Sequence, residues 1–322
     1  MKHLVLGGSG FIGRHVVRHL LAGGYEVVVA DIADFPSLGP KAQRPATIAL
    51  DLFACSQADY EMLVEPVDVV HMYAWSSVPQ SAAANPLLDL TDNVGAVIKL
   101  LEALKRHRGK RLLFASSGGT VYGRPKAVPA TEDHPIQPIS HYGVSKAAAE
   151  QYLRCYRHLH GLDVRIARVA NPYGAGQNPK RLQGAATTFV HRAISNQPIE
   201  IWGDGRVVRD YLYIDDAAAA LTAIASKPLS AEQDHSVFNV ASGQGINLNQ
   251  LIRAVEAGLG RQIETRRHPA REIDVPVSIL DIQRIRDTLG WQPRVSLAGG
   301  IALMIADLEA DPATMYATPS DR

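Results

Sequence analysis

Residues 3–13 read His-Leu-Val-Leu-Gly-Gly-Ser-Gly-Phe-Ile-Gly. The run His3 to Leu6 suits a buried strand, and the glycines that follow suit a sharp turn into a helix predicted from about Ile12 to Ala22. Gly7, Gly10 and Gly13 recur at every third position. Small residues there let the chain reverse and let a pyrophosphate approach the backbone. The first helical turn, at Phe11, Ile12 and Gly13, aims its N–H groups at the phosphates. The triad alone is equally a ligand-free turn, but its context is specific. Gly23 and Gly24 stop the helix, Glu26 to Ala30 form a second buried strand, and Asp31 ends it. A carboxylate there, about twenty positions after the glycines, binds the hydroxyls of an adenosine ribose and repels a ribose phosphate. This puts NAD(H) ahead of NADP(H); the alternative is that Asp31 merely opens a turn before Pro36.

Outward from this unit, apolar runs alternate with helical periods. Strands are predicted at Thr47 to Leu50, Val67 to Met72, Arg111 to Ser116 and Val164 to Val169, with helices at Asn93 to His107 and His141 to His160. The pattern is that of an α/β fold with a doubly wound parallel (Rossmann) sheet. Ligands of such sheets bind beyond the carboxyl ends of the strands, where Asp31, Asp51, Ala74, Ser116 and Ser117 collect. From about Asn171 the texture changes to loops rich in Pro, Gly, Asn and Gln. We therefore expect a dinucleotide domain over residues 1–170, with residues 211–241 returning to it, and a smaller C-terminal substrate lobe over most of 171–322. Helices are expected there at Asn247 to Leu259 and Asp281 to Leu289, before a polar tail.

The second informative pair is Tyr142 and Lys146, one helical turn apart and on the same helix face. A phenol with an ordinary pKa near 10 is a poor base at neutral pH. An ammonium and a nicotinamide cation beside it stabilise the phenolate and bring it toward the working range. Tyr142 can then take a proton from a hydroxyl as hydride leaves, while Lys146 also grips the nicotinamide ribose. In isolation such a pair is more often an exposed helix contact; after a dinucleotide fold the catalytic reading leads.

Composition narrows the classes. The chain has 322 residues, 46% hydrophobic and 20% charged, enough for a large core, and a formal net charge of +1 that gives no field for a nucleic acid. No apolar run is long enough for a membrane span, and the N-terminal residues already form the first strand rather than a secretory signal. Cys55 and Cys155 lie far apart and read as incidental thiols of a reducing, cytoplasmic environment. Twelve histidines show no metal-ligand spacing, so no metal is expected.

From Lys2 to about Pro293 the chain resembles the extended short-chain dehydrogenase/reductase family, within it the NAD-dependent nucleotide-sugar epimerases and dehydratases. The resemblance is carried by Gly7 to Gly13, Asp31, Asp51-Leu52, His71 to Ala74, Asn93, Ser116 to Gly123, Tyr142 to Lys146, Arg168 to Gly174, Arg209-Asp210-Tyr211, Asn239-Val240, Arg271 to Val275 and Leu289-Gly290-Trp291. It implies a 4-epimerase of a nucleoside-diphosphate sugar, a UDP-hexose or UDP-N-acetylhexosamine, working through a 4-keto intermediate. A 4-keto-sugar reductase or dehydrogenase is the runner-up, and a non-catalytic dinucleotide-binding protein the alternative from another class. It further implies that Asp51, Leu52, Ala74, Asn93 and Ser116 join the cofactor site. Asn171 would hold the diphosphate or the sugar and Arg209 and Arg271 the two phosphates, with Gln183 and Asp274 as weaker diphosphate-sugar and nucleoside contacts. Two long helices, Asn93 to His107 and His141 to His160, would pair with a second copy into a homodimer.

The departures from the family pattern carry information too. The Ser or Thr that usually donates to the reacting oxygen is replaced by Gly118, which leaves Ser117 first and Thr120 second as its substitute. Gly119 and Thr120 stand where dehydratases carry an Asp-Glu pair, which argues against dehydration. Ser278 falls where a bulky residue would exclude an N-acetyl group, so acetylated sugars are expected to fit. Tyr73 and Trp75 replace small residues near the nicotinamide or sugar.

Overall fold

In the computed structural model of the chain, which describes residues 1–36, 43–178, 184–229, 235–270 and 275–310, the central apolar runs become strands covered on both faces, while the run at 46–49 forms an exposed edge strand. The first half runs β1 (Lys2–Leu6), α1 (Phe11–Ala22), β2 (Glu26–Asp31), β3 (Ala46–Ala49), α2 (Gln57–Val64), β4 (Val69–Met72), α3 (Pro79–Ala84), α4 (Pro86–Arg106), β5 (Arg111–Ser117), α5 (His141–His160) and β6 (Asp163–Val169). Alternate residues of β1 serve opposite layers. Val5 packs into a core with α1, and Leu4 and Leu6 into a core with α4 and α5.

The second half adds β7 (Asn171–Tyr173), α6 (Ala185–Ile194), β8 (Ile199–Trp202), β9 (Val208–Tyr213), α7 (Ile214–Ser226), β10 (Val237–Val240), β11 (Gly245–Asn247), α8 (Leu248–Leu259), β12 (Thr265–His268), β13 (Val277–Ser278), α9 (Gln283–Leu289) and α10 (Leu297–Ala310). The seven-stranded sheet has the order β10-β6-β5-β4-β1-β2-β3, parallel throughout. This is the doubly wound Rossmann order, with β10 returning as a seventh strand beside β6. Of the segment expected to return, α7 and β10 do pack on this sheet. β9 instead organises the smaller lobe, pairing with β7, β11 and β13.

Two boundaries differ from the sequence reading for local reasons. α4 begins at Pro86, not Asn93: Pro86 supplies a preset φ at the first position, and the Asn85 side chain accepts from Leu88 N at 3.2 Å. α10 goes unforeseen because it is held mainly by packing of Ile301, Met304 and Ile305 in the α1-side core. Among the described residues no helix is long and apolar enough to cross a membrane.

One polar cluster crosses the α5 layer. Arg168 on β6 and Glu150 on α5 have no exposed side-chain surface and pair at 2.7 Å. Ser116 on β5 donates to Glu150 at 2.5 Å, and Arg168 also donates to the Tyr122 hydroxyl at 2.9 Å. The pair and its hydrogen bonds hold Arg168 in its charged form, its pKa raised although burial alone would lower it. Removing one partner of such a pair leaves the other charge buried and uncompensated. Glu150→Ala is therefore expected to cost roughly 3 to 5 kcal/mol of stability, measured by urea unfolding; a loss under about 1 kcal/mol would show the pair to be dispensable.

Candidate active site

The site begins where β1 and β4 come close. Gly7 has φ +81° and donates its N–H to Ala30 O at 2.9 Å; a Cβ there would crowd the N of Ala74 at 2.5 Å. A Cβ on Gly13 would overlap the carbonyl of Gly7, so α1 can start this close to β1 only with glycine. Gly10 caps α1 without any side-chain hydrogen bond and is exposed. Its turn is the open approach to the amides of Phe11, Ile12 and Gly13. The loop after β4 leads from Ala74, at the glycine turn, to Trp75, whose ring meets Lys146 and Tyr142. Two consecutive residues of this loop thus touch the glycine turn and the Tyr142–Lys146 pair.

Tyr142 and Lys146 lie in the first two turns of α5, capped by Ser140, whose side chain accepts from Gly143 N at 3.2 Å. The Tyr142 hydroxyl is half-buried and has no hydrogen-bond partner among the described residues. Lys146 is 5% exposed; its Nζ donates to Ala115 O at 2.9 Å and lies 3.6 Å from the Trp75 ring centroid and 5.8 Å from that of Tyr142. Burial lowers the Lys146 ammonium to about 7, against the opposing pull of Asp89 and Glu150. Burial and, behind it, Asp89 push the Tyr142 phenol well above its ordinary value. The ammonium is turned toward the sheet and Trp75, and within the chain alone desolvation outweighs any help it gives the phenolate; the expected lowering calls on a nicotinamide cation as well.

Asp89, 3% exposed, is the site residue that the sequence conceals, since it lies before the expected helix start at Asn93 and enters α4 only because that helix begins at Pro86. It accepts from Ser77 Oγ and from Asn93 Nδ2, the latter at 3.1 Å. Asn93, expected at the cofactor, has its amide engaged by the loop: its Oδ1 accepts from Ser76 N at 2.7 Å and its Nδ2 donates to Ser76 Oγ at 3.0 Å. Tyr73 and Trp75 face opposite layers. Tyr73 packs toward the α1 side with its hydroxyl on His71 Nδ1 at 2.9 Å, and Trp75 alone adds bulk beside the pair.

The serine segment divides in the same way. The Ser116 hydroxyl, expected at the cofactor, goes to Glu150, whereas Ser117 is half-buried with no side-chain bond among the described residues. Gly118 has a physical reason: a Cβ there would overlap a methyl of Leu280, which enters from the smaller lobe. A Cβ on Gly119 would face the Asn171 amide at 3.8 Å, which sets Asn171 opposite the Ser117–Thr120 turn.

Asp31 ends β2 with Oδ2 accepting from Ser9 N at 2.9 Å and Oδ1 from Ala33 N at 3.1 Å, which holds the carboxylate at the rim of the glycine turn. Asp51 is exposed and accepts from Phe53 N at 3.0 Å, while Leu52 is buried beneath it. The side-chain-free helix start, the glycine cradle and this rim carboxylate fit a dinucleotide with free ribose hydroxyls. In the smaller lobe Ser278 is paired in register with Arg209, whose guanidinium donates to Val275 O at 2.6 Å. Gln183, Arg271 and Asp274 lie outside the described residues. Among the described residues no cluster could hold a metal ion.

The profile of the NAD dependent epimerase/dehydratase family matches residues 3–241. A UDP-glucose 4-epimerase of Mycolicibacterium smegmatis is 37% identical over 310 residues, covering 94% of this chain and 96% of its own. A dTDP-4-dehydro-6-deoxyglucose reductase of Escherichia coli is 31% identical over 312 residues, covering 95% and 96%. The crystal structure of the UDP-glucose 4-epimerase of Thermotoga maritima with UDP-glucose superposes with a TM-score of 0.88 at 31% identity, covering 96% of this chain and 99% of that one.

A lysine lowered to about 7 in the fold and near 10.4 when unfolded binds fewer protons folded than unfolded between those values. Its burial penalty is therefore full below about pH 7 and fades as the pH rises toward the ordinary lysine range. Lys146→Met, in protein freed of dinucleotide, is expected to be stabilised relative to wild type by on the order of 2 to 3 kcal/mol more at pH 6 than at pH 9. Thermal unfolding at both pH values checks it; a pH-independent difference would mean that Lys146 is not desolvated.

Proposed function

The chain belongs to the NAD dependent epimerase/dehydratase family, and from that membership we propose that it is a 4-epimerase of a nucleoside-diphosphate sugar. The observation that carries the reading is the Tyr142 hydroxyl. It stands without a partner among the described residues, one turn before a buried lysine and edge-on to Trp75 in the loop after β4. A phenol in such a position has the sugar hydroxyl as its natural partner.

In this reading Tyr142 takes the proton of the 4-hydroxyl, and Lys146 supplies the positive charge that lets the phenol do so. NAD, when bound by the glycine turn and Asp31, supplies the hydride acceptor and donor. Ser117 donates to the reacting oxygen, the task that Gly118, packed against Leu280, cannot perform. The 4-keto sugar turns about its diphosphate link and presents its other face to the returning hydride, while Tyr142 gives the proton back to the 4-oxygen, so that C4 would end inverted. Asn171, Arg209 and Arg271 hold the diphosphate, with Gln183 and Asp274 as further contacts. Gly119 and Thr120 provide no acid for expelling water, so dehydration is disfavoured. Serine at 278 leaves room for an N-acetyl group beside the sugar ring. The second reading, a 4-keto-sugar reductase, is favoured by the likeness to the E. coli reductase; Asp31 favours NAD(H), with no bulk turnover of NADPH.

We also propose a homodimer through α4 and α5. Leu87, Leu88, Val144, Tyr152 and Leu159 are exposed along these adjacent helices, a stripe that a second copy would bury as a four-helix bundle.

Three outcomes test these readings. Incubated with a panel of nucleoside-diphosphate sugars and no added cofactor, the protein is expected to interconvert 4-epimers by NMR. Turnover only with stoichiometric NAD(P)H consumption would establish the reductase instead. Tyr142→Phe should lower kcat at least about 100-fold with little change in KM, as loss of a general base does; unchanged turnover would remove Tyr142 from the chemistry. Tyr152→Glu should shift the mass measured by light scattering from dimer to monomer, and a monomeric wild type would overturn the dimer.

A further inference from the structure

The environment of Lys146 is unusual for a cation. An ammonium has three protons to donate, and among the described residues its hydrogen bond goes to Ala115 O alone. It otherwise faces rings, Trp75 at 3.6 Å and Phe114 at 4.9 Å to their centroids, with the carboxylates of Asp89 and Glu150 favouring its charge from α4 and α5. An aromatic face carries the negative part of a quadrupole and attracts a cation most strongly where water is excluded. Trp75 also meets the Tyr142 ring edge-on, at 6.3 Å and 74°, so one indole touches both members of the pair.

The indole is itself fixed. Its loop is pinned to α4 on the next two residues, Ser76 by Asn93 and Ser77 by Asp89, and its ring leans on Phe114 at 5.8 Å. Asn93 and Asp89 thus act on the site through Trp75.

We propose that Trp75 is a positioning residue of the reaction: its indole face clamps the Lys146 ammonium against the carbonyl of Ala115 and sets it in register with Tyr142. The consequence for turnover rests on the epimerase reading above; the contact does not. An aliphatic side chain would remove the attraction. A phenyl ring would keep it. The Trp75 face thereby offsets part of the desolvation of Lys146, so its loss in a site that stays dry lowers the ammonium further.

The test uses the full chain, freed of dinucleotide and carrying lysine labelled with 13C at Cε and 15N at Nζ, with Lys146→Arg to assign the resonance. In wild type the Lys146 Hε signals are expected upfield of the other lysines, from the ring current of the indole. Trp75→Leu should abolish that shift and lower the Lys146 titration midpoint by about one unit. Trp75→Phe should retain much of the shift and the midpoint. In turnover, Trp75→Leu should lose about tenfold in kcat and move the alkaline limb of its pH profile to lower pH, with Trp75→Phe restoring both. Wild-type signals lying among the other lysines, signals unmoved by Trp75→Leu, or a Trp75→Phe that matches Trp75→Leu would each overturn the proposal, whatever the turnover. If the NMR results hold while no 4-epimers interconvert, the epimerase reading falls and the clamp stands.

Discussion

Burying Arg168 and Glu150 together, out of contact with water, ties helix α5 to strand β6, and the placement of the reactive side chains follows from that tie. A charged pair is retained in a dry layer only if its remaining hydrogen-bonding capacity is met, and here the neighbours meet it. Ser116 brings in β5, Tyr122 brings in the loop beyond it, and the Tyr122 hydroxyl reaches Asn239 on β10 at 2.7 Å. Three strands and one helix are thereby fixed in rotation as well as in distance. Lys146 stands one turn before Glu150 and Tyr142 one turn before that, so the rotation that buries Glu150 also points both toward the ends of β4 and β5.

What could be read from the sequence was local. The Gly7–Gly13 turn needs glycine for reasons internal to residues 3–13, Asp31 follows at a set distance, and α5 starts and stops where Ser140 and Gly161 permit, Gly161 at φ +66°. What stayed hidden depends on contacts between segments far apart. Nothing near Asn93 or Ser116 says that their polar groups are committed to Ser76 and Glu150. Nothing near Gly118 says that Leu280, more than 160 residues on, fills the space beside it. The smaller lobe was opaque for the same reason. Its four-stranded sheet joins two- to six-residue strands from four regions, and Asp210 gathers them, accepting from Ser242 N, Gly243 N and Leu280 N although burial pushes its carboxyl up.

Sequence spacing alone favours an ammonium that lowers the phenol beside it, yet the chain places both groups where water is scarce and lets burial move them in opposite senses, the lysine down and the tyrosine up. Both shifts favour the neutral forms. A cationic ring beside Tyr142 would favour its phenolate and would work against the Lys146 ammonium. Asp89 works against the phenolate and in favour of the ammonium, which makes Lys146 the first of the two to gain its charge. On this argument the order of events is electrostatic before it is chemical. The Trp75 ring face and the Ala115 carbonyl favour the lysine cation against its burial, and positive charge on the open side of Tyr142 would favour its phenolate.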